Sequence, residues 1–171
     1  DEAAGSLGKK KGGNDCMLEA DTSYVPAASE HRTVFGVTLE QGRNEIGLDQ
    51  LANVVTKDKE IPASAQRDLM VALTALKYTQ SNSMCMALDG QVIGSGAGQQ
   101  SRIHCTRLAG NKADLWYWRQ HPVTLGLKFR EGLGRPERDN AIDGFLRDDL
   151  APAEDNFWRT AFTEVPMRLT T

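Results

Sequence analysis

Residues 78–109 read YTQSNSMCMALDGQVIGSGAGQQSRIHCTRLA, and within them Gly94, Gly96 and Gly98 stand just ahead of Arg102. Asp89-Gly90 supplies the positive φ angles that a two-residue type I′ turn demands, so 84–88 and 91–95 are expected as a pair of strands. After the glycines, Ser101, Cys105, Leu108 and Ala109 share one helical face, with Arg102 and Thr106 at its edge. Upstream, Leu69, Ala72, Leu73 and Leu76 fall at i, i+3, i+4 and i+7, which predicts a helix with one buried face, started near Pro62 and Ser64. The order helix, hairpin, glycine turn, helix is an α/β unit whose central strands need helices to cover them.

The glycine turn has two readings. One is a strand exit crowded against a helix, where only glycine lets two backbones approach. The other is an anion cradle, because free N–H groups and the positive dipole end favour a negative charge at a helix start. An arginine in the first turn opposes that dipole. A ligand gripped by its forked donors would account for its place there.

Around this unit, strands are expected at 16–19 and at 33–41, the second ending in the turn-like QGRNE. Asn111 with Asp114 resembles a capping box that opens a new helix carrying Leu115, Trp116 and Trp118, with Pro122 ending it. Ala141, Ile142, Phe145 and Leu146, then Phe157, Trp158, Ala161 and Phe162, are two further amphipathic segments. The opening dozen residues read as a loop or helix remnant in which Lys9, Lys10 and Lys11 are a solvated corner, and order is expected from Asp15. No internal repeat is found.

The 171 residues predict one domain, with room for a helical appendage, and enough chain to bury roughly two thirds of its unfolded surface. A formal net charge of -3 and pI near 5.6 give no general affinity for nucleic acid, so any anion site must be local. Cys16, Cys85 and Cys105 form no C-x-x-C pair; reduced thiols in a cytosolic protein without zinc fit best. No apolar run approaches the ~18 residues of a membrane span. The chain opens DEAAGSLGKKKGG without Met, which is expected of a piece cut from something larger.

Asn82, in the polar run from Thr79 through Ser81 to Ser83, is read either as helix-capping or turn chemistry or as a recogniser of an amide or purine-like edge. His104 is expected to be a helix-face histidine with a satisfied ring, and His31 and His121 surface or loop residues. No Ser/His/Asp order, Walker loop or H-x-E with P-C-x-x-C occurs, so the motifs offer a binding site and no complete catalytic apparatus.

At VVTKDKEIPASAQRDL, KYTQSNS, GQVIGSGAGQQSRIHCTRLAG and NAIDGF the chain resembles the formyltransferase domain of the bifunctional purine biosynthesis enzymes. These couple phosphoribosylaminoimidazolecarboxamide (AICAR) formyltransferase to inosine monophosphate (IMP) cyclohydrolase. The likeness runs from KKKGGNDC to TEVPMRLT, and FGVTLEQGRN is similar to the eukaryotic-type branch. It implies that 1–171 is part of that domain: 1–14 a loop or helix remnant, 15–110 a portion of the α/β core, and 111–171 a mainly helical portion. The implied fold class is α/β, a cytidine-deaminase-like helix-hairpin-helix core without zinc, with a mainly helical C-terminal third.

The resemblance also implies roles. Asn82 and Arg102 match residues that contact the AICAR nucleotide, Ile103 matches one lining the folate pocket, and Asn140 matches a polar neighbour of that pocket. Thr79, Ser81 and Ser83 fall where the family can hold a monovalent cation such as potassium. The family's catalytic Lys-His pair lies upstream of the matched segment, so no catalytic residue is expected here. The co-substrate would be 10-formyltetrahydrofolate, the parent a cytosolic homodimer with its active site at the dimer interface, and the isolated segment inactive. The contrasting expectation is a noncatalytic anion-binding or interaction module on the same scaffold.

Overall fold

The computed structural model describes residues 5, 7–9, 12, 14 and 16–169. Lys10, Lys11 and the expected start of order at Asp15 lie outside the described residues. The chain divides into two compact units, Asp1–Glu45 and Ile46–Thr171.

In the first unit, β1 (Ser29–Val34) and β2 (Val37–Gly42) form an antiparallel hairpin with Val34 opposite Val37. The single strand expected over 33–41 is therefore two strands. The turn between them has Phe35 at φ 51 and Gly36 at φ 79, both left-handed, as a two-residue hairpin turn requires. Phe disguised it, since a bulky residue rarely takes that region. No strand forms at 16–19. The chain turns instead just beyond it, where Asp21 accepts hydrogen bonds from the Ser23 N–H at 2.9 Å and from its hydroxyl at 2.6 Å.

The second unit opens with a 3₁₀ turn (Leu48–Ala52) and continues with α1 (Ala63–Lys77), β3 (Met84–Leu88), β4 (Gln91–Gly96) and α2 (Arg102–Arg119). It is completed by the one-turn α3 (Pro122–Leu125), α4 (Arg135–Leu146) and α5 (Pro152–Thr160). The unit is mixed α/β. Strands β3 and β4 pair antiparallel as expected, and Asp89 and Gly90 take φ 50 and 79. Helix α1 clamps this turn from outside: the Asp68 carboxylate accepts the N–H of Asp89 at 3.1 Å and of Gly90 at 2.7 Å. Leu73 and Leu76 of α1 are half-buried while Leu69 is 43% exposed, so its expected buried face is covered only in part.

Helix α2 is one continuous helix, and the break expected at Asn111 is absent. A capping residue in mid-helix has no free N–H to cap when the preceding turns already supply acceptors. The N-cap is Ser101, whose hydroxyl accepts from the His104 N–H at 3.2 Å. Pro122 follows the end of α2, as expected, and also opens α3, where its missing N–H is no loss. His121 caps that turn through Nδ1, which accepts from the Val123 N–H at 3.3 Å.

Two buried regions hold the unit together. At the first, Cys105 and Ala109 of α2 are buried against β4. The second joins α4 to α5 through Ala141, Phe145, Trp158, Ala161 and Phe162; of the expected apolar residues Phe157 is 41% exposed, and Ala161 and Phe162 lie just past the end of α5. Trp158 is fully buried, and its Nε1–H donates to Asp155 Oδ1 at 2.9 Å. Arg159 and Arg168 lie against the ring, 4.7 and 4.9 Å from its centre, a cation–π pairing that also neutralises Asp155. Among the described residues no helix is long and apolar enough to cross a membrane.

Candidate functional site

The close approach of α2 to β4 builds the site. A side chain on Gly94 would run into the Ala109 carbonyl, and one on Gly96 into the Cys105 carbonyl. These two glycines are thus the crowded strand exit of the first reading. Gly98, at φ 67, turns the chain from β4 toward α2.

The same turn is laced to the segment after α1. The N–H of Gly98 donates to the Gln80 carbonyl at 2.8 Å, and Asn82 and Gln99 exchange backbone hydrogen bonds at 3.2 and 3.3 Å. The Ser81–Asn82 peptide is cis. Asn82 Nδ2 donates to the Gln99 carbonyl at 3.2 Å, and the Cys105 thiol donates to the Asn82 carbonyl at 3.0 Å. Asn82 therefore caps no helix, because the C-cap of α1 is Tyr78. Its amide keeps one N–H and its oxygen for other partners.

Arg102 and Ile103 form the first turn of α2. Ile103 is 64% exposed, a large apolar side chain left in water. Arg102 is exposed, and its guanidinium has no hydrogen-bond or ion-pair partner among the described residues. Arg67, Arg119 and Arg147 of this unit are each paired with an aspartate, while Arg107 on α2, like Arg102, has no ion pair among the described residues. The arrangement offers a forked cation, an amide and an apolar side chain at one helix start. That set suits an anion attached to a flat polar body. His104 belongs to the same turn and is exposed, with its backbone N–H engaged by the Ser101 cap.

The remaining expected residues are distributed differently. The Thr79 hydroxyl donates to the Leu76 carbonyl at 3.0 Å, so it is engaged at the end of α1, while Ser81 and Ser83 flank Asn82. Asn140 lies on α4 and lines a surface groove of about 490 Å³ with Asp143, Gly144, Leu150, Ala153, Glu154 and Phe157. Its neighbours Asp139 and Asp143 face Arg119, the last residue of α2, at 3.4 and 3.9 Å. With a rise of about 1.5 Å per residue, Arg102 and Arg119 stand roughly 25 Å apart along α2. Asn82 is thus tied to Gln99 and Cys105, which flank Arg102 and Ile103 in the chain, whereas Asn140 sits toward the other end of the helix.

Burial pushes the Cys85 thiol on β3 above the usual cysteine range. In the helical portion the Arg147 hydrogen bonds hold the Asp149 carboxyl below its ordinary value, and those of Arg159, then Trp158, do the same for Asp155. Among the described residues no three His, Cys, Asp or Glu side chains gather in a metal-ligand cluster. Sequence reasoning passed over Cys105 as a helix-face residue; its 3.0 Å contact to Asn82 joins positions 23 residues apart, a separation that no local pattern marks.

The AICARFT/IMPCHase bienzyme family matches residues 1–112. Over 83 residues, 48% of this chain, the sequence is 41% identical to the bifunctional purine biosynthesis protein PurH of Mesorhizobium japonicum, of which the match covers 15%.

Proposed function

The chain belongs to the AICARFT/IMPCHase bienzyme family, and from that premise we propose that it is the part of a folate-dependent AICAR formyltransferase that positions the nucleotide. The observation that carries this reading is the unpartnered Arg102 guanidinium at the Ser101-capped start of α2, with Asn82 held nearby by Gln99. In this reading Arg102 forks onto the nucleotide and Asn82 contacts its polar body. Ile103 lies against the folate, and Asn140 is offered to a part of that extended molecule distant from Ile103. Ser81 and Ser83, with the Thr79 carbonyl or hydroxyl, would hold a monovalent cation beneath the Asn82 segment. The α1, β3–β4, α2 unit is the helix-hairpin-helix core of a cytidine-deaminase-like fold, and the complete enzyme is a homodimer.

The reaction fixes what these residues must do. The 5-amino nitrogen of AICAR attacks the formyl carbon of 10-formyltetrahydrofolate, forming a C–N bond and a tetrahedral oxyanion. The oxyanion collapses, the bond to N10 breaks, and the proton lost by the amine is matched by one gained at N10. Positioning groups shorten the approach of amine to formyl carbon; a base and an oxyanion partner, the Lys-His pair of the family, supply the rest.

The test compares two proteins: the 171-residue chain, and a longer one carrying it together with that pair. AICAR turnover with 10-formyltetrahydrofolate is expected from the longer protein only. Turnover by the 171-residue chain alone would overturn the assignment of roles. Absence of AICAR binding by the longer protein would favour a noncatalytic interaction module.

A further inference from the structure

The nucleotide contacts proposed above come from two segments, residues 79–83 and the first turn of α2, and recognition requires that they keep one spacing. The backbone of Asn82 is fixed on one side by Gln99, through N–H to carbonyl at 3.2 Å and the reverse at 3.3 Å. From α2 the Cys105 thiol donates to the Asn82 carbonyl at 3.0 Å, the hydrogen bond that a side chain of this helix makes to Asn82 among the described residues. Cys105 is 1% exposed, so water cannot replace that contact. It can come so close because Gly96 lacks the Cβ that would meet the Cys105 backbone.

Arg102 precedes Cys105 by three positions on the same helix, which makes them neighbours on its surface. The Cys105 contact therefore ties Asn82 to the helix that carries Arg102. Gln99 holds Asn82 from the turn, three residues before Arg102, and Cys105 adds a hold from within the helix, three residues after it. We propose that Cys105 is a positioning residue: its thiol sets the spacing of Asn82 and Arg102, and with it the affinity for the nucleotide. This rests on the assignment of Asn82 and Arg102 to the nucleotide.

The competing account makes Cys105 a small buried hydrophobe that only fills space beneath β4. The two differ in how serine behaves. Serine keeps a hydroxyl donor but is poorly suited to an apolar pocket, whereas alanine is apolar and has no donor. In the full-length protein that contains this chain, KM and kcat for AICAR and the urea midpoint are measured for Cys105→Ala and Cys105→Ser. Loss of one hydrogen bond predicts that Cys105→Ala raises KM for AICAR about three- to tenfold with kcat little changed. Cys105→Ser is expected within about twofold of wild type in KM, even where its urea midpoint falls. Should Cys105→Ala fold poorly, Cys105→Val fills the volume without a donor and carries the same expectation.

Unchanged KM in Cys105→Ala or Cys105→Val, or an equal defect in Cys105→Ser, overturns the proposal. Asn82→Ala and Arg102→Ala run alongside. If these weaken AICAR binding and the Cys105 variants do not, the positioning role alone is lost. If neither weakens it, the nucleotide site itself is elsewhere.

Discussion

The carbonyl of Cys105 occupies the space that a side chain on Gly96 would need. Backbone meets side-chain position here with no flexible atom to give way, so the contact sets how closely α2 docks on β4. That docking brings the start of α2 beside Asn82. A packing glycine is thereby part of the candidate site although it touches no ligand.

Gly96→Ala is expected to destabilise by about 2 kcal/mol or more, the upper range for an overpacked core, because the helix must move away from the strand. Gly110→Ala is the control. That position lies inside α2 with nothing within 4 Å of the added carbon, and alanine should stabilise by roughly 0.4–1 kcal/mol. Urea midpoints of both variants check the opposite signs.

Arg102→Ala in the full-length protein should leave stability within about 0.5 kcal/mol, since the guanidinium has no partner among the described residues. Removing a cation from the positive end of α2 favours no loss at all. Catalytic efficiency with AICAR should fall about ten- to over a hundredfold, the worth of a charge-assisted hydrogen bond of roughly 1.5–3 kcal/mol. Arg102→Lys should rescue little, because a point charge does not reproduce the planar fork. Steady-state kinetics with wild-type values for the alanine variant would return Arg102 to the solvent.

Asp68→Ala removes the acceptor for the N–H groups of Asp89 and Gly90. The β3–β4 turn keeps its own Asp-Gly geometry, so the fold should survive with a loss of about 1–2 kcal/mol. Amide hydrogen exchange should quicken first at residues 89 and 90, and uniform acceleration across the unit would contradict a local clamp.

Acid should loosen the α4–α5 core through Asp155. Its carboxyl lies below the ordinary value because Arg159, then Trp158, hydrogen-bond to it. A depressed native value means that the contribution is present above the unfolded carboxyl near pH ~3.9 and is lost as pH falls through the native one. Asp155→Asn should be less stable than wild type at neutral pH and show a flatter decline in acid. Trp158 sits against this carboxylate, so its fluorescence during urea titrations at several pH values reads the difference directly.

Several elements were legible because their causes are local. Asp-Gly at 89–90 specifies a tight turn by its own backbone preferences, and the apolar spacing around Leu73, Phe145 and Trp158 specifies helices that cover something. Local signals also misled where they were ambiguous: Phe35 hid a turn inside an apparent strand, and Asn111 with Asp114 offered a cap that an ongoing helix had no use for. The resemblance carried Asn82 and Arg102 as a pair, with no account of what holds them together.

That account is tertiary. By itself the sequence determined the hairpin, the helical portion and the residue types of the candidate site, since turn preference and hydrophobic period act over a few residues. Only the folded chain decided that two glycines let α2 approach β4 and that Gln99 and Cys105 hold Asn82 from 17 and 23 positions away. It also separated Asn140 from Arg102 by the length of α2. Contacts between segments depend on which backbones can approach one another, and no short stretch of sequence carries both sides of such a contact.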